Sequence, residues 1–246
     1  MKADLKAGIL TVAFGRQFDR LAAEALRYSR KFTALPFHVL SNIDERSIVW
    51  KEISNVTFEY FNLDQVENRK AKLTMNEHTP FENTLYMDCD SVIQKNGVEE
   101  FVNFFGVHSL ILCHKTMYQK NKPVYNIYAD TMIHNNIKLP LPVYFGALIA
   151  FKKTPETSRF FKGWYQIWQQ SGSGREMPSL CVNVKKNNIQ RSLFPSRWFS
   201  GMNKVSRAVI QHDYGCSFCQ KFNITKWIDY KPYDINIKHD FSKRFI

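Results

Sequence analysis

No stretch of this chain approaches the run of about 20 apolar residues that spans a bilayer, and the opening MKADLKAGIL lacks the apolar core of a secretory leader. The expectation is a cytoplasmic protein with no transmembrane segment. A disulfide framework is lacking too. The cysteines, Cys89, Cys113, Cys181, Cys216 and Cys219, are odd in number and scattered. Only Cys216 and Cys219 stand close. With His212, and His239 as a fourth ligand, they could hold a structural zinc; the plain alternative is two reduced thiols in a loop. There is no internal repeat and no low-complexity tract.

Acidic residues are scarce in one part only. Residues 151–246 hold 17 Lys/Arg against 6 Asp/Glu, which is +11, while residues 1–150 hold 17 against 16, which is +1. Such asymmetry fits a surface that meets a polyanion, or a solvated basic face. What the chain does have is apolar mass. It is 44% hydrophobic over 246 residues, with 20 Phe. That fills the core of one large α/β domain, or of one domain with an appended subdomain.

Patterning gives the elements. GILTVAF (8–14) is a short apolar run, a buried strand. In the segment after it, Phe18, Leu21, Ala22, Ala25 and Leu26 share one helical face. PFHVLS (36–41), VTFEYFN (56–62) and TLYMD (84–88) read as further strands, and QVENRKAKLTMNE (65–77) as a polar helix. Asn96 is placed to cap a helix through Phe105, with Glu99 at the capping-box position. SLILC (109–113) is another strand. Residues 122–142 show little periodicity and read as a long loop or small ribbon. VYFGALIAF (143–151) is a strand, followed by a helix capped by Thr154 with Pro155 first. Its stripe of Phe160, Phe161, Trp164, Ile167 and Trp168 is ordinary core. A last helix runs from about Met177 to Lys186. Alternating strands and helices imply a mostly parallel α/β sheet covered on both faces, ending in an irregular basic part.

The chemistry is concentrated at LYMDCDSVI (85–93). An apolar strand ends there in two aspartates, Asp88 and Asp90. In open α/β sheets ligands bind beyond the carboxyl ends of strands. Neighbouring carboxylates repel, and a divalent cation is their natural partner. Mg²⁺ or Mn²⁺ takes such hard oxygens together with substrate phosphates. The plain alternative is a turn. Cys89 points the other way along an extended chain and reads as packing.

In this setting NTLYMDCDSVI resembles the D-x-D segment of nucleotide-sugar glycosyltransferases with the GT-A fold, especially family 8-like enzymes. ILTVAFGRQF and AAEALRYSRK are similar to their first strand and helix, which hold the nucleoside, and FHVLSN to their second strand. RKAKL lies where these enzymes often carry a basic residue and a lysine. VYFGALIAFKKTPETSRFFKGWYQIW resembles the strand-helix unit after their metal site. The likeness spans about residues 8–215. Two positions depart from it. Phe145 stands where the family has an Asn, and QHDYGC places His212 with one residue more than the family's late histidine motif.

The resemblance implies a single GT-A-like catalytic domain over residues 1–246, with a nucleotide-sugar and metal half (1–115) and an acceptor-side half (116–246). It implies a nucleoside-diphosphate sugar donor, a UDP-sugar foremost, transferred with retention. It also implies Mn²⁺ or Mg²⁺ on Asp88, Asp90 and His212. A lone histidine is also common in surfaces and cores. Thr11, Ala13 and Phe14 would line the nucleoside pocket, with Phe14 stacked on the base, and Asn42 would reach base or ribose. Arg69 and Lys72 would add charge near the diphosphate. Glu176 resembles the acid at a helix start that faces the sugar or acceptor; it also reads as a helix N-terminal acid.

The acceptor is inferred from the charge. RSLFPSRWF and KFNITKWIDYKPY interleave aromatics with cations, which suits nucleic acid. The leading acceptor is a hydroxylated base in DNA, which would have to be flipped out. Anionic glycans, lipid-linked acceptors and protein hydroxyls are alternatives. Two readings from other classes stand beside these. A sugar-phosphate nucleotidyltransferase would carry a Gly-rich phosphate loop where this chain has AFGRQF. A non-catalytic nucleic-acid-binding module would explain the charge but not the strand ending in D-x-D.

Overall fold

The computed structural model describes residues 5–44, 48–62, 68–117, 126–138, 140–171, 175–201 and 208–212. Strand β1 (Leu5–Ala13) is buried on both faces, with Ile9, Leu10, Val12 and Ala13 all inside. That is why it reads as a continuous apolar run rather than an alternation. Gly15, at φ 89°, then turns the chain in a conformation that favours glycine. Helix α1 (Arg16–Ser29) follows, burying Leu21, Ala22, Ala25 and Leu26.

Strands β2 (Phe37–Ser41), β3 (Val56–Tyr60) and β4 (Phe81–Met87) join β1 in parallel, in the order β3-β2-β1-β4. Beyond β4 the sheet continues through β7 (Pro142–Lys152), β6 (Leu110–Met117) and β8 (Ser192–Leu193). Only β7 is reversed, antiparallel to β4 and to β6. The fold class is therefore the expected one, a mostly parallel α/β sheet flanked by helices. One core packs Leu10, Phe14, Tyr86 and Tyr144 with Trp164 and Leu180; the other joins Ile9, Phe37, Leu85, Phe101 and Trp198.

In the second half, α5 (Pro155–Gln170) starts as the sequence predicts. Thr154 Oγ1 accepts the Thr157 N–H at 3.3 Å, and Pro155 comes first. Helix α6 (Met177–Lys186) also lies at its expected place. A small second sheet has the order β5-β10-β9, from β5 (Ser91–Ile93), β9 (Phe199–Gly201) and β10 (Ile210–His212). Its antiparallel β5–β10 pair sets His212 opposite Ser91.

Three local expectations are corrected. Within the polar helix expected over 65–77, the described residues form two short helices, α2 (Asn68–Leu73) and α3 (Met75–His78). They part at Thr74, whose hydroxyl donates to the Lys70 carbonyl at 3.0 Å; such back-bonding bends helices. The loop over 122–142 contains a helix, α4 (Asn126–His134), which buries Tyr128 and Met132 one turn apart. The capping box at Asn96 is not made. Gly97, left-handed at φ 99°, instead leads into 3₁₀ turns over Val98–Phe104, and Glu99 accepts the Thr33 hydroxyl. The Cys216/Cys219 zinc reading, His239 and Trp227 lie outside the described residues. No described helix is long and apolar enough to cross a membrane.

Candidate active site

The carboxyl end of β4 carries the site. Asp88 follows the last residue of the strand, and its N–H donates to the Ala147 carbonyl of β7 at 3.1 Å. The Ser91 N–H donates back to the Asp88 carbonyl at 2.9 Å, so the chain turns tightly through Asp88–Ser91. Both aspartates are thereby held on one side, and β5 leads away beside β10. The long-range β5–β10 pairing then brings in His212. Its Nε2 lies 3.2 Å from Asp90 Oδ1 and 3.7 Å from Asp88 Oδ2. Ligand atoms of Asp88, Asp90 and His212 all fall within 4.8 Å of one another.

A second set of charges meets Asp88 from the other core. Lys72 on α2 donates to Asp88 Oδ1 at 2.8 Å and to Glu176 Oε1 at 2.7 Å. Arg69 Nε lies 3.4 Å from Glu176 Oε2. Glu176 directly precedes α6. Its carbonyl accepts the Trp164 indole N–H at 2.9 Å and the Ser179 hydroxyl at 2.7 Å, which anchors it to α5 and α6. Its carboxylate makes no cap for its own helix and reaches Lys72 instead. Gly146 on β7 lies against this pair, and a Cβ there would sit 3.5 Å from both Lys72 Nζ and Glu176 Oε1.

These contacts set the protonation states. Burial disfavours the charged form of Lys72, but the Asp88 and Glu176 carboxylates outweigh it and hold the ammonium above its ordinary value. Burial alone would raise Glu176; Lys72, a backbone N–H and Arg69 reverse this and bring it to about 2. Asp90 moves up, because burial exceeds the opposing pull of His212. Burial would lower His212, yet Asp90 and Asp88 raise it. Asp88 and Glu176 thus meet Lys72, with Arg69 on Glu176, while Asp90 meets His212.

The structure brings Asp88, Asp90, His212, Lys72, Arg69 and Glu176 together. The remaining expected residues lie at the ends of β1 and β2. Thr11, Ala13 and Phe14 are buried, at 1%, 0% and 1% exposure. The Phe14 ring packs at 5.7 Å from Phe61 within the core, a placement that offers no open face for stacking on a base. Asn42 Oδ1 accepts the Gly15 N–H at 2.7 Å, which ties the end of β2 to the turn after β1. Trp198, expected as a stacking aromatic, is 2% exposed and packs on Phe194 and Phe104, because the turn before β9 folds it into the core. Cys89 is part-buried packing, its thiol pushed up by burial and by both aspartates.

Sequence reasoning missed Tyr86. Its hydroxyl donates to Asp88 Oδ1 at 2.5 Å, and burial, then Asp88, keeps the phenol protonated far above its usual range. The signal was present: residues two apart on a strand share a face.

No protein-family pattern and no curated protein sequence matches the chain. Among solved structures, mouse xyloside xylosyltransferase 1, in its apo form, is similar with a TM-score of 0.59 at 12% identity, over 84% of this chain and 97% of that one. The galactosyltransferase LgtC, in complex with donor and acceptor sugar analogs, gives 0.57 at 12% identity over 85% and 87%. The bifunctional glycosyltransferase WbbM gives 0.57 at 9% identity over 85% of this chain and 46% of that one. By fold, then, the chain is built as the GT-A glycosyltransferases are, with an Asp-Asp-His group at the carboxyl end of its central strand.

Proposed function

We propose that the protein is a metal-dependent, family 8-like glycosyltransferase that moves a sugar from a nucleoside-diphosphate sugar, a UDP-sugar foremost, to an acceptor hydroxyl with retention. The observation that carries this is the convergence of Asp88, Asp90 and His212 within 4.8 Å at the end of β4. Two carboxylate oxygens and an imidazole fit Mn²⁺ or Mg²⁺. Held there, the ion would supply Lewis-acid charge to the leaving diphosphate.

The chain's own residues do the rest. The nucleoside lies over the ends of β1 and β2, where Thr11, Ala13, Phe14 and Asn42 shape the floor. Lys72 adds fixed positive charge beside Asp88, and Arg69, at 40% side-chain exposure, is open enough to meet the diphosphate. Glu176, brought to about 2, is a poor proton acceptor at neutral pH. Its role is to orient sugar hydroxyls at its partly exposed carboxylate, not to transfer a proton.

The acceptor side is residues 116–246. Its described portion from 151 on holds nine Lys/Arg against Glu156 and Glu176, which favours an anionic acceptor, a hydroxylated base in DNA among them. Among the described residues Phe194, Trp198 and Phe199 are buried and offer no stacking face, so the basic side chains there would meet the acceptor through its phosphates.

A donor screen tests the proposal. With Mn²⁺ present, one nucleotide sugar of a panel at about a hundred times its Kd should raise Tm by roughly 5–10 °C. If no nucleotide sugar shifts Tm, with or without Mn²⁺, the proposal fails.

A further inference from the structure

The two oxygens of Asp88 have different neighbours. Oδ1 accepts from two donors, Lys72 Nζ at 2.8 Å and the Tyr86 hydroxyl at 2.5 Å. Oδ2 faces the other way, 3.7 Å from His212 Nε2. The two donors come from different elements, α2 and β4, and they differ in stiffness. Lys72 carries rotatable donors on a flexible stem and shares them with Glu176. Tyr86 is a rigid ring, 2% exposed and packed into the core, with the Lys72 ammonium 5.2 Å from its centroid. A carboxylate that turns about its last bond can offer a cation either oxygen, or both. One whose Oδ1 is fixed by a buried phenol cannot.

We propose that Tyr86 is a positioning residue of the metal site: with Lys72 it claims Oδ1, so that Asp88 offers a divalent cation one oxygen, Oδ2, in a fixed direction toward Asp90 and His212. This rests on the metal reading of those three residues. Tyr86 touches no cation itself and acts only through Asp88. Hydrogen-bond partners of metal-binding side chains commonly matter in this way, and their loss typically costs about 10–100-fold in metal affinity.

The test is a Mn²⁺ titration of the whole chain without nucleotide sugar, following free Mn²⁺ by electron paramagnetic resonance at 4 °C. Wild type is compared with Tyr86→Phe, which removes the hydroxyl and keeps the packed ring. The expected result is a Kd at least about tenfold higher in Tyr86→Phe, with the circular dichroism of the folded protein unchanged. In an Asp88→Asn background the same change should add nothing, since its route to the cation is already altered. Equal Kd values for wild type and Tyr86→Phe would overturn the proposal and leave the metal site standing. So would a Tyr86→Phe chain unfolded at 4 °C, which would assign the hydroxyl to the fold. If wild type itself bound no Mn²⁺, the metal reading would fall, and this inference with it.

Discussion

Two acid–base groupings flank Asp88, and they differ in tightness. On one side Lys72 lies 2.8 Å from Asp88 and 2.7 Å from Glu176, with Arg69 behind. The ammonium of Lys72 is raised and Glu176 lowered, so both are held in their ionised forms. On the other side His212 stands 3.2 Å from Asp90 and 3.7 Å from Asp88, and Asp90 is raised rather than lowered. The first grouping is electrostatically complete. The second brings two carboxylates together and leaves Asp90 under-stabilised.

The largest effect should come from removing what both groupings share. Asp88→Ala should lower kcat/KM for donor hydrolysis by about 10³-fold or more, the equivalent of several kcal/mol of lost charge stabilisation. Asp90→Ala should come close to it while sparing the Lys72 grouping, so its unfolding midpoint should stay near wild type. A collapse of stability in Asp90→Ala, measured by denaturant titration, would mean that the looser side is structural too.

Next comes the complete grouping. Lys72→Met leaves two carboxylates without their central cation and should cost about 3–5 kcal/mol of stability, as breaking buried pairs does. Glu176→Gln should cost less, because Lys72 keeps Asp88. The pH dependence follows from the sign of the shift. Glu176 is depressed, so its contribution is full above the ordinary value of 4.5 and is lost as pH falls through about 2. Wild type should therefore lose more stability over that window than Glu176→Gln. Parallel acid limbs would show that the pair is not linked to folding.

A smaller effect concerns His212. Its pKa is raised, chiefly by Asp90 against burial, so at mildly acidic pH a cation must displace a proton. Mn²⁺ affinity should rise between pH 6 and pH 8, and His212→Ala should flatten that rise. An unchanged profile in His212→Ala would return the histidine to packing.

The smallest effect should come from the basic residues of the second half. Charge reversal at Lys185 or Arg197 should leave donor hydrolysis within about twofold and stability within about 0.5 kcal/mol. It should, however, weaken any DNA binding and reduce its salt slope. If wild type shows no salt-dependent DNA binding at low ionic strength, the acceptor is not DNA.

Legibility in the sequence followed range. β1, β2, β4 and the Thr154 cap were readable because apolar runs and caps are local signals. Asp88 and Asp90 were readable for the same reason, as two charges ending one buried strand. The Lys72–Glu176 contact spans 104 residues and has no local signature. His212 reaches Asp90 only through the β5–β10 pairing, between three-residue strands too short to register as periodicity. Helix α4 escaped notice because Tyr128 and Met132, one turn apart in a nine-residue helix, are too short a run to register as periodicity. Phe14 and Trp198 misled in the opposite sense. An aromatic beside a ligand-binding strand end or among basic residues reads as a stacking surface, yet both were needed for packing.

The central claim is that the Asp88–Asp90–His212 grouping holds a divalent cation on which a nucleotide-sugar donor reacts. The most direct measurement is turnover of the labelled donor picked out by the thermal screen, with Mn²⁺ and then with excess chelator. The account predicts release of free sugar and nucleoside diphosphate with Mn²⁺, and none with chelator or in Asp90→Ala. Turnover that persists in chelator, or products that are sugar phosphate and nucleoside monophosphate, would contradict it.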